Sequence, residues 1–282
     1  MPRLDLHLHT THSDGSLPPA EVLALAQKAG VSALAITDHD IVSGLPEAFE
    51  AGAQLGIEVI PGIEISSLHE NVELHILGYF LDWKDPELGR RLEMIRAGRH
   101  QRNPLIVQKL NELGLDLTYQ EVKDLAGTES VGRPHIARVL MAKKYVQSAK
   151  EAFDRYLAEG RPAYVRRELP APAEGISWIR AAGGIPVLAH PTWIRETAEG
   201  LYKLCEGLKT VGLMGIEVHY STHKASQTSE YLDIARRLDL LVTGGSDFHG
   251  LTKPDIEVGV GRGGLKVPAK LLEPLKKAAG LA

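Results

Sequence analysis

The sequence predicts an α/β fold: a closed or nearly closed barrel of seven strands into which a mainly helical subdomain is inserted. Three observations carry this. Seven strand-patterned stretches are spread over 282 residues, most of them separated by helix-patterned segments. That alternation implies a parallel sheet, and seven such units in one chain favour a barrel. Between residues 86 and 169 the alternation stops and helical spacing alone remains. Imidazole and carboxylate side chains recur where the strands end, the end at which such barrels gather their chemistry. The chain thus divides into a first barrel part at 1–85, the insertion at 86–169 and a second barrel part at 170–282.

Leu4, Leu6 and Leu8 alternate as in a buried strand, so His7 and His9 project together from its far end. Pro18-Pro19 opens a helix with apolar residues at helical spacing and Gly30 at its stop. Ala33 to Thr37 is the second strand, running into Asp38-His39-Asp40, and a helix over 45–55 is closed by Gly56. Ile57 to Ile65 is the third strand, with Glu64 near its end, and Val72 to Gly78 alternates as a half-buried fourth containing His75. In the insertion, helices are expected over 88–113, after Thr118, over 133–143 and over 149–158. The barrel rhythm resumes with a helix at 173–182 and a strand at 185–189 ending at His190. Strands at 215–219 and 240–243 follow, with helices over 195–211 and 225–238, and the last strand runs into Ser246-Asp247-Phe248-His249.

Composition narrows the function classes. An apolar content of 44% is ordinary for a globular protein, no apolar run approaches membrane-helix length, and no basic-then-apolar leader pattern is present, so a cytoplasmic location is expected. The single Cys205 cannot form an internal disulfide. The net charge of −4 is uneven: 86–169 holds 16 Lys and Arg against 11 Asp and Glu, the remainder 16 against 25. The basic part could hold a phosphorylated substrate, although most of its charges are expected on solvated helix faces. With 5% aromatic residues and no basic tail, neither long duplex nucleic acid nor a stacking platform is indicated. Short single-stranded ends or small nucleotides remain as partners, with no membrane and no obligate protein partner.

His-x-His alone suits a pair of hydrogen-bonded core histidines as well as a metal. Here Asp14, before Gly15, can fold a carboxylate back over the strand end, and His39, Glu64, His75, His190, Asp247 and His249 end other strands. Nine candidate ligands exceed one tetrahedral site and suffice for two or three ions; imidazole with carboxylate suits manganese, zinc or iron. Such a cluster would acidify a water and hold a phosphoryl oxygen, so phosphate-ester hydrolysis follows.

The motifs Asp5-Leu-His-Leu-His, Thr37-Asp-His, Pro61-Gly-Ile-Glu, Ala189-His-Pro and Gly245-Ser-Asp-Phe-His resemble the successive signatures of the PHP (polymerase and histidinol phosphatase) family. The resemblance implies a distorted seven-stranded barrel. It assigns His7, His9, Glu64 and Asp247 to one ion, Glu64, His75 and His190 to a second, and Asp14, His39 and His249 to a third, with manganese favoured. The size and place of the insertion are similar to those of the 3′,5′-nucleotide bisphosphate phosphatases that also act as 5′ to 3′ exoribonucleases. That implies a 5′-phosphate site, for which Arg133 and His135 at a helix start are candidates, the alternative being a structural cap. His223, beyond the 215–219 strand, is a candidate cationic or donor group for phosphate or catalysis, and Asp38 a candidate for orienting water or an imidazole. Glu217 and His219 match no ligand position. A histidinol phosphatase and a non-catalytic metal-binding PHP module are the alternatives.

Overall fold

The computed structural model describes residues 3–194 and 196–281. Among these, seven strands pair in chain order: β1 (Arg3–Leu8), β2 (Val31–Ile36), β3 (Glu58–His69), β4 (Val72–Tyr79), β5 (Ile185–Leu188), β6 (Gly215–Tyr220) and β7 (Leu241–Gly245). β1, β2 and β3 run parallel, as do β5, β6 and β7, but β4 is antiparallel to both neighbours. This corrects the all-parallel expectation. Only Glu70 and Asn71 separate β3 from β4, and a parallel return needs a crossover of a dozen residues or more.

The barrel nearly closes just past β7, where the Asp247 N–H donates to His7 O (2.8 Å) and the His9 N–H to Phe248 O (3.0 Å). Glycine at 245 is needed for that approach, because a Cβ there would lie 2.3 Å from the Cβ of His7. Asp5 adds a further tie, its carboxylate accepting from Ser246 N and Gly259 N.

Apolar side chains sort by strand face. Leu4, Leu6, Ala33, Ala35, Leu77, Tyr79, Ile185 and Val187 pack with Leu272 and Leu275 into a cluster that fills the barrel. The register of β1 shifts between Asp5 and Leu8, so Leu8 joins the outer cluster under α1 (Pro19–Lys28) and α2 (Leu45–Leu55) instead. The bulge turns His7 inward, where Leu4 and Leu6 also point. α2 ends, as expected, at a left-handed Gly56.

α3 (Pro86–Glu112) leaves the foot of β4 and is followed by α4 (Tyr119–Ala126), α5 (Arg133–Ala142) and α6 (Ala149–Ala152), which runs into a π-helical turn at Phe153–Leu157. The first half of α3 (Leu88, Leu92, Ile95) packs on the barrel's outer layer. A separate apolar core draws on residues from Ile106 to Ala163, so the insertion's own packing begins inside α3 rather than at residue 86. α7 (Pro172–Ala181), α8 (Ala198–Thr210) and α9 (Ala225–Arg237) cover the second barrel part. α8 starts later than the expected 195, a residue outside those described. α10 (Leu272–Ala278), which plugs the barrel floor, has no counterpart among the sequence expectations. No helix among the described residues is long and apolar enough to cross a membrane.

Candidate metal centre and anion cavity

Glu64 lies at the centre of the barrel mouth, fully buried. Its Oε1 is 2.8 Å from both His75 Nδ1 and His190 Nε2; its Oε2 is 3.1 Å from His9 Nε2 and His39 Nδ1 and 3.3 Å from His7 Nε2. Asp247 Oδ1 approaches His9 Nε2 (3.3 Å) and His7 Nε2 (3.5 Å), and Asp14 Oδ1 lies 3.2 Å from His249 Nε2. His39 Nε2 is 3.9 Å from Asp14 Oδ2. The structure therefore brings all nine candidate ligands together, and their ligand atoms form overlapping groups, each small enough for one ion.

The electrostatics of six imidazoles and three carboxylates are strongly coupled. Burial disfavours the charged imidazoles, yet neighbouring carboxylates outweigh it and push His9 up to about 9 and His75 up to about 10. His39 goes the other way: burial takes it down to about 3. Burial opposes charge on Glu64, Asp14 and Asp247 too, but the imidazoles around them, with Lys253 at Asp247, hold all three well below the carboxylate range. His9 Nε2 and His39 Nδ1 are buried without a hydrogen-bond partner. Convergent imidazole nitrogens left unsatisfied beside carboxylates fit divalent cations and suit no apolar or purely hydrogen-bonded core.

Sequence local to each strand end explains the convergence. Asp14 folds back because Gly15 packs against the His9 backbone, where a Cβ would lie 2.6 Å from His9 O. Asp38 holds that turn: its carboxylate accepts from Thr10 N (2.8 Å), Thr10 Oγ1 (2.7 Å) and Ser13 Oγ (2.5 Å). It therefore orders the Asp14 loop. His190 and Asp247 sit at φ 25° and 57°, left-handed conformations that the surroundings must hold. For His190 the holder is Glu217, whose Oε2 accepts the His190 N–H at 2.8 Å while Oε1 lies 2.9 Å from His7 Nδ1. Asp247 Oδ2 accepts from Tyr220 Oη (2.6 Å) and from Lys253 Nζ. Glu217 had no assigned role from sequence, although a carboxylate on the inward face of β6, in step with the other strand ends, was the available signal.

Two phosphate candidates lie outside the cavity that Arg133 lines, each with a buried Nε2 that has no hydrogen-bond partner. His135 is 1% exposed; its Nδ1 accepts the Gly132 N–H at 2.9 Å and burial takes its pKa down to about 4, so it is a neutral cap on the first turn of α5. His223 packs between Tyr220 and Tyr231, its Nδ1–H donating to Val218 O at 2.9 Å. Neither shares a cavity with Arg133.

Arg133 does line a cavity of about 130 Å³, together with Arg102, Arg166, Arg167, Tyr164 and Glu73. Behind it, Arg99 donates to Asp40 Oδ2 (2.6 Å), and Arg167 and Arg133 each donate to Glu73 (3.0 Å). Arg102 meets only the Asn103 side chain, and Arg167 Nε and Nη1 are buried without hydrogen-bond partners. Five guanidinium groups, with Arg166 exposed, stand against Asp40, Glu73 and Glu159. Burial, then the neighbouring arginines, pulls Arg102 well below its ordinary value. An excess of buried positive charge with unsatisfied donors is the signature of an anion site. Its edge residue Glu73 reaches to 3.8 Å from His75 Nε2, so the cavity adjoins the imidazole cluster. Arg102 at the cavity, and Arg99 behind it, carry no motif that marks them in the sequence. Yet Leu88, Leu92, Ile95, Arg99, Arg102, Ile106 and Leu110 follow one helical stripe, and cations that continue an apolar stripe are the signal.

A barrel whose mouth gathers imidazoles and carboxylates from almost every strand end defines a metal-binding (β/α) barrel protein. The model of the PHP domain matches residues 5–165, and the chain belongs to that family. It is 37% identical over 88% of its length to a 5′-3′ exoribonuclease of Haemophilus influenzae, covering 90% of that protein. It is 32% identical over 92% of its length to a 3′,5′-nucleoside bisphosphate phosphatase of Chromobacterium violaceum, covering 91% of it. The crystal structure of a presumed metal-dependent phosphoesterase from Bifidobacterium adolescentis superposes with a TM-score of 0.87 at 30% identity, over 98% of this chain and 96% of that one.

Proposed function

We propose that the protein is a metal-dependent phosphoesterase that removes the 3′-phosphate of nucleoside 3′,5′-bisphosphates and, by the same reaction, releases nucleotides from the 5′ end of short RNA. The arginine cavity adjoining the imidazole cluster carries this reading, because it provides for two phosphates on one substrate. The names of the Haemophilus and Chromobacterium relatives support both activities.

On the family resemblance, His7, His9, Glu64 and Asp247 would hold one ion, Glu64, His75 and His190 a second, and Asp14, His39 and His249 a third, manganese being the first choice for this mixed set; the ligand atoms within reach of one another also join His7, Glu64 and His190, and His39, Glu64 and His75. Divalent ions there supply Lewis acidity, drawing charge from a phosphoryl oxygen and acidifying water. The chain's own groups do the positioning. Arg102, Arg133 and Arg167 take the 5′-phosphate as a bidentate anion. Glu217 turns His7 Nε2 toward the mouth, while Tyr220 and Lys253 fix Asp247. Water attacks phosphorus, the bond from phosphorus to the 3′ oxygen breaks, and a proton passes from the water to that oxygen. The group leaving with phosphorus is inorganic phosphate from a bisphosphate, or the 5′-phosphorylated remainder of an RNA. Both substrates therefore lose the same bond.

The deciding experiment measures phosphate release from adenosine 3′,5′-bisphosphate and from histidinol phosphate by manganese-loaded protein. Preference for the bisphosphate, leaving AMP, is the expected result. Preference for histidinol phosphate would leave the arginine cavity without its assigned ligand and overturn the reading.

A further inference from the structure

Trp193 is 59% exposed, an unusual setting for the largest apolar side chain. It ends the 3-10 turn Pro191–Trp193 that follows His190 at the C-terminal end of β5. Its indole N–H donates to Tyr220 Oη (3.2 Å), Tyr220 donates to Asp247 Oδ2, and Lys253 Nζ meets the same oxygen. An aromatic ring and a part-exposed ammonium group thus flank one edge of the mouth, formed by β5, β6 and β7. The arginine cavity lies at another edge, beside β3 and β4. The same turn, through Pro191 and Thr192, also lines a cavity of about 190 Å³ with Glu196, Gln227, Glu230 and Tyr231; this acidic and polar lining, with no cation among its described residues, is better matched to the donor groups of a base edge than to a phosphate.

We infer that the β5–β7 edge is the subsite for the nucleotide attached to the scissile phosphorus, its base stacking on Trp193. The inference rests on the phosphoesterase reading. With the 5′-phosphate in the arginine cavity and the 3′-phosphorus over the imidazole cluster, the next nucleotide continues across the mouth to this edge. Sequence-tolerant stacking on an aromatic face beside a cation is how single strands are held without base-specific readout. A bisphosphate has no such nucleotide and makes no use of the subsite. The two activities therefore differ in one place, and Trp193 is the residue that separates them.

The test compares kcat/KM for a 5′-phosphorylated trinucleotide with that for adenosine 3′,5′-bisphosphate in manganese-loaded wild type, Trp193→Ala and Trp193→Phe. The trinucleotide-to-bisphosphate ratio should fall about tenfold in the alanine variant and largely recover in the phenylalanine variant. A ratio unchanged by Trp193→Ala overturns the subsite. Wild type that cleaves only the bisphosphate also overturns it and leaves the phosphatase reading intact. Wild type that cleaves neither overturns the phosphoesterase reading and the subsite with it.

Discussion

Glu217 Oε1 stands 2.9 Å from His7 Nδ1 while its Oε2 takes the backbone N–H of His190, so one fully buried carboxylate on β6 fixes candidate ligands from β1 and from the end of β5. A carboxylate behind a ligating imidazole sets its tautomer and direction. Glu217→Gln should weaken manganese binding about 10- to 100-fold, read by competition with a chromogenic chelator. Unchanged affinity would reduce Glu217 to a packing residue.

Metal binding should displace protons. His9 and His75 stand at about 9 and about 10 in the metal-free fold, so at pH 7 both carry a proton that a ligand nitrogen must lose. Apparent manganese affinity should therefore rise as pH climbs from 7 toward 9. Calorimetry in buffers of different ionisation enthalpy should show net proton release, and an absence of buffer dependence would contradict it.

Arg102 and Arg99 should respond oppositely to removal. Arg102 has no carboxylate partner, so Arg102→Ala should leave the melting temperature unchanged or raised. It should lift KM for the bisphosphate at least tenfold, with p-nitrophenyl phosphate turnover nearly unaffected. Arg99→Ala removes the nearest partner of buried Asp40, leaving it only Ser66 and Arg167 at 3.7 Å, and should cost about 3 kcal/mol of stability, measured by denaturant unfolding.

Acid should act through Asp40. Burial favours its neutral form, but Arg99 and Arg167 outweigh burial and bring it down to about 2. A folded-state pKa below the unfolded value gives stability that is complete above about 4 and is lost as pH falls toward 2. Asp40→Asn in metal-free protein should flatten that part of the stability profile; an unaltered slope would assign acid sensitivity elsewhere.

The strand ends were legible because metal chemistry needs particular residue types, and a barrel places strand ends together: His7, His9, Glu64 and Asp247 stood out by type and position. Strand direction was less visible. Alternation in Val72–Gly78 marks a strand but not its sense, which the two-residue connection at Glu70 and Asn71 determines. The anion cavity was least legible. Arg99 and Arg102 look like solvated charge until the apolar residues on either side of them in α3 are seen to share their face, and His135 looks cationic until its burial is known. Trp193 escaped because overall aromatic content carries no information about where one ring lies.

The reversed direction of β4 has a mechanical consequence. It delivers the chain to the floor of the barrel, so α3 must climb the barrel's full height to bring its arginines to the mouth. Its 27 residues span about 40 Å, with Arg99 about 20 Å up. The helix is a strut of fixed length and pitch. One residue added before Arg99 would swing every later side chain by about 100° and turn both arginines away from Asp40 and the cavity. An insertion should therefore be tolerated only beyond Leu110, where added length leaves Arg99 and Arg102 in place.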